Sequence, residues 1–338
     1  MVTVITFREA APYLGRRKQA RMSRRDYSFV GSWRAKSFAL SQTRIARERR
    51  SATKSPTYTM YQSVQSTLRA LGFTRVELFA GLYILGCANG LAAKMILSVH
   101  RLGWADAAVG TFDVSAIVVV ACFTGISLVL ADKTGGVHLA DLAVAMVVLL
   151  IIALPIGAMS WLAVTMLSLY VLLFTQATES QHRGAVILLA ATVPMLWSRL
   201  VFDLFASFIL AVDASLVGWM LGTHRSGNMV EFADHSGTLV VFPSCSSLAN
   251  VSLALLCWVT ISASVRHEWR AQDIFWCLLA CSSVVAVNVI RISLMGLSSA
   301  HYHMLHTPLA EIVLNIIILV LIVAISILGV RRDVLSRA

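Results

Sequence analysis

Long apolar stretches constrain this chain more than any other feature. They run at roughly 76–98, 108–131, 138–154, 157–176, 184–199, 202–221, 246–265, 272–297 and 308–330. Each is close to the ~20 residues that carry a helix across a bilayer. Only helices and closed barrels satisfy every backbone group in lipid. A barrel needs alternating segments of ~10 residues, and the sequence has none. The expected fold is therefore an all-α, polytopic transmembrane helical bundle of about eight spans, between seven and nine. Composition agrees: 13% of residues are charged and mean hydropathy is +0.77, against ~25% charged in soluble domains. Pro155 and Pro194 fall within or beside these stretches, and membrane helices tolerate proline. The divisions at 154–157 and 199–202 rest on length alone, since neither place has a strong turn signal.

The net charge of +11 is concentrated in residues 1–60, in "LGRRKQARMSRRDY" and "TRIARERRSATKSP". The rest of the chain is close to neutral. Positive charge beside a first span is the usual cytoplasmic pattern, so it does not argue for nucleic acid as a partner. Two readings stand: a basic, disordered cytoplasmic tail over 1–60, or a start at Met60 with a non-native extension before it. Either leaves 61–335 as the membrane domain. No apolar core lies near the start, so this stretch does not read as a secretory signal.

The longest polar interruption is "GTHRSGNMVEFADHSGTLVVF", residues 222–242. Two β-prone runs around "ADHSG" predict a hairpin lying just before Cys245. The basic C-terminal "GVRRDVLSRA" places that end in the cytoplasm. Counting spans backwards puts the hairpin and Cys245 outside, and Arg291 and His306 near the same outer face. Nine spans would put the basic N-terminus outside as well, against the charge rule; eight would not.

Five of the six cysteines lie in apolar runs, where a thiol behaves as a small hydrophobe. Cys245, flanked by Ser244 and Ser246, stands at a polar boundary. A nucleophilic thiol needs a base or a positive neighbour, and Arg291 and His306 offer both. Arg291 is costly inside a membrane helix and reads as functional, with snorkelling to lipid phosphates as the plain alternative. Asn288, one turn earlier, shares its face. His301, His303 and His306 cluster near the start of the last helix. A metal site is a minor alternative there, because the spacing fits no zinc pattern. His306 is the better candidate base, and His301 and His303 read as loop residues. Asp203 and Asp213 could form an ion path, the reading that favours a transporter.

The order of Cys245 in "VVFPSCSSL", Asn288 and Arg291 in "NVIRI", and His306 in "MLHTPLAE" resembles the exosortase/archaeosortase family. Motifs carry the resemblance over roughly 200–330; over 70–200 it rests on hydropathy alone. Ser247 and Ala310 stand where the family has glycine. The resemblance implies a membrane cysteine transpeptidase acting on secreted proteins with a C-terminal sorting tail: a short motif, a hydrophobic helix and a basic end. Cys245 would form a thioester at the motif and His306 would serve as acid/base. Arg291 would stabilise the oxyanion, with Asn288, Ser244 and Ser246 in support. A lipid or glycan amine would accept the product. No cofactor or metal is implied. The setting would be a bacterial inner membrane, with the site facing the periplasm and a link to exopolysaccharide production. The alternative is a transporter or a non-catalytic component of exopolysaccharide assembly.

Overall fold

The computed structural model describes residues 63, 74–132, 135–268 and 270–335, apart from the side chains of Ser244, Pro308, Glu311 and 332–335. The expected tail over 1–60 and the alternative start at Met60 lie outside the described residues. What is described is helical except for one small sheet.

Helix α1 (Arg75–Leu102) opens on a reciprocal cap. The Thr74 hydroxyl accepts the Glu77 amide at 3.2 Å, and the Glu77 carboxylate accepts the Thr74 amide at 2.9 Å. Such a cap satisfies two of the amides that a helix start leaves free. After Gly103 comes the short α2 (Trp104–Val109), then a turn at Thr111–Asp113 with three left-handed residues (φ 51°, 53° and 58°). Helix α3 (Ala116–Leu130) begins only after that turn, capped by Ser115. The apolar stretch expected over 108–131 is thus two pieces, because polar Thr111 and Asp113 turn the chain.

Helices α4 (Leu139–Ile152) and α5 (Gly157–Phe174) are separated at Pro155, as the division at 154–157 requires. The division at 199–202 is absent. Helix α6 (Glu179–Thr192) passes through a π-turn at Val193–Trp197 straight into α7 (Ser198–Leu221). Pro194 lacks an amide hydrogen, and the helix widens there instead of breaking. The Ser198 hydroxyl donates to the Pro194 carbonyl at 3.2 Å. A second bend falls at Phe205 (φ −123°). The continuous 43-residue helix is about 65 Å long at ~1.5 Å per residue, twice the ~30 Å hydrocarbon core.

Then follow α8 (Ser247–Ser264), α9 (Ala271–Met295), α10 (Ser299–Leu305) and α11 (Pro308–Leu335). Among the described residues six helices are long and apolar enough to cross a membrane: α1, α5, the α6–α7 helix, α8, α9 and Ile312–Arg331 of α11. Helices α3 and α4 are apolar but shorter, at 15 and 14 residues. Large apolar side chains such as Phe208 (68% exposed) and Trp219 (85%) face outward. Water would penalise that arrangement, whereas lipid would not.

Contacts between helix ends fix the direction of each helix. At one end the Arg75 amide donates to Gly135 (3.3 Å), and Arg75 pairs with buried Asp141 (3.0 Å). Thr178 and Ser180, at the start of α6, bond to Asp132 and Leu128 at the end of α3 (2.8 and 2.7 Å). Arg183 donates to Ala263 at the end of α8 (2.8 Å). Gly329, late in α11, packs on Trp258 and Trp276. The start of α1 and the end of α11 therefore lie at the same end of the bundle, here the tail end. The starts of α3, α8 and α11 and the ends of α1 and α9 lie at the opposite end, the site end. Close packing holds the bundle together: α3 and α6 touch at Gly125 and Gly184, where a Cβ on Gly184 would sit 2.6 Å from the Gly125 carbonyl oxygen.

The sheet is at the site end. Strands β1 (Arg225–Ser226), β2 (Met229–Glu231) and β3 (Thr238–Val240) are antiparallel in that order. The β2–β3 pair is the expected hairpin, with Val230 opposite Leu239; β1 adds an unexpected edge. Val230 and Leu239 are buried against Leu210, Val217, Val289 and Ile292. Their neighbours point away, the period-two pattern of a half-buried sheet. The Ala233 amide donates to Gly296 at 2.9 Å, tying the hairpin turn to the end of α9.

Candidate functional site

Cys245 closes a 3₁₀ turn, Pro243–Cys245, at the mouth of α8. Proline suits the first position of a helical turn, where no amide is needed. The Cys245 amide donates to Phe242 at 2.9 Å. Ser246 is extended (ψ 139°) and caps α8 through its hydroxyl, which accepts from Leu248 at 3.3 Å. The polar "PSCSS" cluster is thus partly a helix cap, which accounts for Ser246. Ser244 occupies the same turn. The Cys245 side chain is half-buried and packs on the cluster under the sheet.

A chain of buried hydrogen bonds holds this turn. Asn288 of α9 donates to the Cys245 carbonyl at 2.7 Å and to the Ser247 hydroxyl at 3.0 Å. Ser247 donates to Asp213 of α7 twice, from its hydroxyl at 2.8 Å and its amide at 3.0 Å. Asp213, Ser247 and Asn288 are 3%, 5% and 2% exposed. Both amide hydrogens of Asn288 and both carboxyl oxygens of Asp213 are used, and the Ser247 hydroxyl donates once and accepts once. A buried polar network satisfied in this way fixes geometry, where a half-satisfied one would cost stability. The Asp213 carboxyl also meets the positive end of the α8 dipole. Three helices are locked together at Ser247, two residues after the thiol.

Arg291 is half-buried on α9, one turn after Asn288. Its neighbours Val289 and Ile292 belong to the cluster that Cys245 packs on. Among the described residues the Arg291 guanidinium makes no hydrogen bond or ion pair. His306 is exposed and stacks on Tyr302 (centroids 5.1 Å apart, planes at 12°). Tyr302 packs on the same cluster as Cys245. Cys245, Asn288, Arg291 and His306 therefore share the site end, and Cys245 and Asn288 are in direct contact.

Several details differ from expectation. His301 and His303 are not in a loop but on α10. The Ser298 hydroxyl caps that helix by accepting the His301 amide at 3.3 Å, and no breaker intervenes before Pro308. His306 lies just before the last helix, as expected, and there it closes α10, its amide donating to Tyr302 at 2.9 Å. His301 bonds through its ring to Ser298 at 2.8 Å. Among the described residues no three His, Cys, Asp or Glu side chains are grouped as a metal site. Asp203 is exposed while Asp213 is buried, so the two do not line one path. Nearby in the hairpin turn, Glu231 bonds to His235 at 2.8 Å and pushes that imidazole pKa up.

Asp213 and Ser247 are the positioning residues that sequence reasoning missed. An acid within an apolar helix was visible, but its partner lies 34 residues away. The only available signal was the doubled serine, one more than a cap needs.

Compared with known proteins, the chain matches no protein-family model, no curated protein and no solved structure.

Proposed function

We propose that this protein is a membrane-embedded cysteine transpeptidase that cleaves C-terminal sorting tails from secreted proteins. The observation that carries the reading is the anchored thiol. Cys245 sits at a helix mouth, its carbonyl held by Asn288 and the next turn by Asp213. Arg291 and His306 are at the same end of the bundle. The resemblance to exosortases and archaeosortases supplies the substrate class. In this reading His306 takes the thiol proton as Cys245 attacks the backbone carbonyl of the sorting motif, and returns that proton to the leaving amine as the C–N bond breaks and the thioester forms. Arg291, a cation in a poorly hydrated place, faces the developing oxyanion. A lipid or glycan amine then attacks the thioester and regenerates the thiol.

The same proposal sets topology. The chain crosses the membrane eight times, α3 and α4 included, with the start of α1 and the end of α11 on the cytoplasmic side. Two features support this orientation. The start of α1 and the end of α11 lie at one end, and Arg183, Arg266, Arg270 and Arg331 flank that end, as the positive-inside rule favours. The site end then faces the periplasm of a bacterial inner membrane. The transporter or assembly-component reading loses its main support, because Asp213 is engaged in the Cys245 anchor.

The deciding experiment follows a tail-bearing secreted protein in cells that carry the wild-type chain or Cys245→Ala. Uncut precursor should accumulate with the alanine variant. Normal processing in its presence removes the enzymatic reading.

A further inference from the structure

A cavity of about 730 Å³ opens at the site end between α2, the start of α3, the first turns of α8 and the first half of α11. Its inner walls are apolar, formed by Ile117, Leu253, Ile318 and Ile322. Its rim carries the carboxylates of Asp106 and Asp113 and the hydroxyls of Thr111 and Ser115. Among the described residues no lysine or arginine lines it. Lys94 of α1 lies within electrostatic reach of Asp113 but outside the lining.

Two amides stand between rim and walls: Asn250 on α8 and Asn315 on α11. Among the described residues neither makes a side-chain hydrogen bond. Asn315 is exposed within Ile312–Arg331, the most apolar span, with mean hydropathy 3.1. An amide facing hydrocarbon without a partner is destabilising. A polar ligand group at that depth removes the cost.

The rim sits at head-group level. Trp104, 75% exposed, lies edge-on to Phe112 at 6.4 Å beside the rim. Exposed tryptophan is characteristic of the membrane–water boundary. The ligand should therefore be polar and cationic at the rim and aliphatic below it.

Size narrows the choice. A helix ~10–12 Å across would fill about 730 Å³ in roughly five residues, too few to hold a protein segment. The volume lies in the ~300–1,000 Å³ range of small-molecule pockets. We infer that this cavity binds a glycerophospholipid with a primary ammonium head group. The ammonium meets Asp106 and Asp113. The Ser115 hydroxyl and the two amides meet its phosphate and ester oxygens, and the upper part of an acyl chain lies on the isoleucines; the Thr111 hydroxyl already donates to Val114. An anionic head group would face two carboxylates with no lining cation. This inference does not depend on the catalytic reading.

The test uses the full chain purified in maltoside micelles, with phosphatidylethanolamine or phosphatidylglycerol of identical chains added, and native mass spectrometry of the retained lipid. Phosphatidylethanolamine should be retained about tenfold better, and Asp106→Asn with Asp113→Asn should abolish the preference. Equal retention of the two lipids, or an unchanged preference in the double variant, overturns the proposal. Asn315→Leu separates binding from folding: it should lower phosphatidylethanolamine retention while leaving the melting temperature unchanged or higher. If the double variant does not fold, a photoreactive phosphatidylethanolamine on the wild-type chain decides. Cross-links should concentrate on Leu253, Ile318 and Ile322, and an even spread over the lipid-facing surface overturns the site.

Discussion

The Asp213–Ser247 pair offers the sharpest test of what holds Cys245 in place. Asp213→Ala removes two hydrogen bonds, at 3.0 and 2.8 Å, from a site only 3% exposed. Bonds to a charged group are worth ~1.5–3 kcal/mol each. The Ser247 hydroxyl keeps its bond from Asn288, which softens the loss, so the expected cost is about 3–4 kcal/mol. Ser247→Ala removes one bond to Asp213 and one from Asn288 but leaves the backbone amide on Asp213. Its expected cost is about 2–3 kcal/mol. Each single variant loses the same hydroxyl–carboxyl bond, and the double variant loses it only once. The double should therefore fall short of the sum by about 1.5–3 kcal/mol.

Reversible unfolding of the full chain in mixed micelles measures the three costs. The rate at which Cys245 reacts with a small thiol reagent gives a local readout, and it should rise in both single variants as the turn loosens. Additivity to within about 0.5 kcal/mol would mean that the two residues act independently. Combined with an unchanged labelling rate, that result would refute the anchoring role.

Three further outcomes are expected. A membrane-impermeant thiol reagent applied from the side that the site end faces should label Cys245 and none of the other five cysteines. Cys87, Cys122 and Cys257 are buried, and Cys277 and Cys281 lie along the membrane length of α9; equal labelling of Cys257 would remove any special status from Cys245. Arg291→Lys keeps the charge and its ability to snorkel but loses the planar fork. Tail cleavage should drop by about 10²–10³ with unchanged expression, the size of losing an oxyanion donor, and full cleavage would return Arg291 to a lipid anchor. Gly184→Val should lower stability by about 1–3 kcal/mol or more, because even its Cβ meets the Gly125 carbonyl. Gly136→Ala, with nothing within 4 Å, is the control; equal melting points would mean that the α3–α6 contact is looser than it is here.

Hydropathy made the helical bundle legible because lipid demands it of any chain this apolar. The hairpin was legible for a similarly local reason: "NMVEF" and "TLVVF" alternate, and Val230 and Leu239 are the residues that become buried. Breaks were less legible. A helix end depends on whether freed backbone groups find partners, which hydropathy does not report. At Pro155 the chain turns; at Pro194 the Ser198 hydroxyl supplies a partner and the helix continues. The even alternation of helices became visible only through contacts such as Arg75 with Asp141 and Arg183 with Ala263, which span 66 and 80 residues.

The same distinction explains the site. Asn288 and Arg291 were legible as a pair because helix periodicity puts them on one face. Asp213 was visible as an expensive residue, but its price pointed to ion movement until Ser247 was placed beside it. Under the proposed reading, Ser247 is also a departure from the exosortase/archaeosortase pattern, a serine standing for glycine. The departure has a structural consequence. A glycine there would leave Asp213 with only the backbone amide, and Asn288 with only the Cys245 carbonyl. The serine hydroxyl joins those two halves, accepting from Asn288 and donating to Asp213. Asp213, Ser247 and Asn288 therefore work as a unit, and replacing any one of them strands a buried partner on another helix. Ser247→Gly alone should loosen the Cys245 turn, whereas Ser247→Thr, which keeps the hydroxyl, should hold it if the added methyl group fits. A thiol-labelling rate that rises for glycine and not for threonine is the expected sign that this hydroxyl sets the turn; equal rates in the two variants would place the control elsewhere.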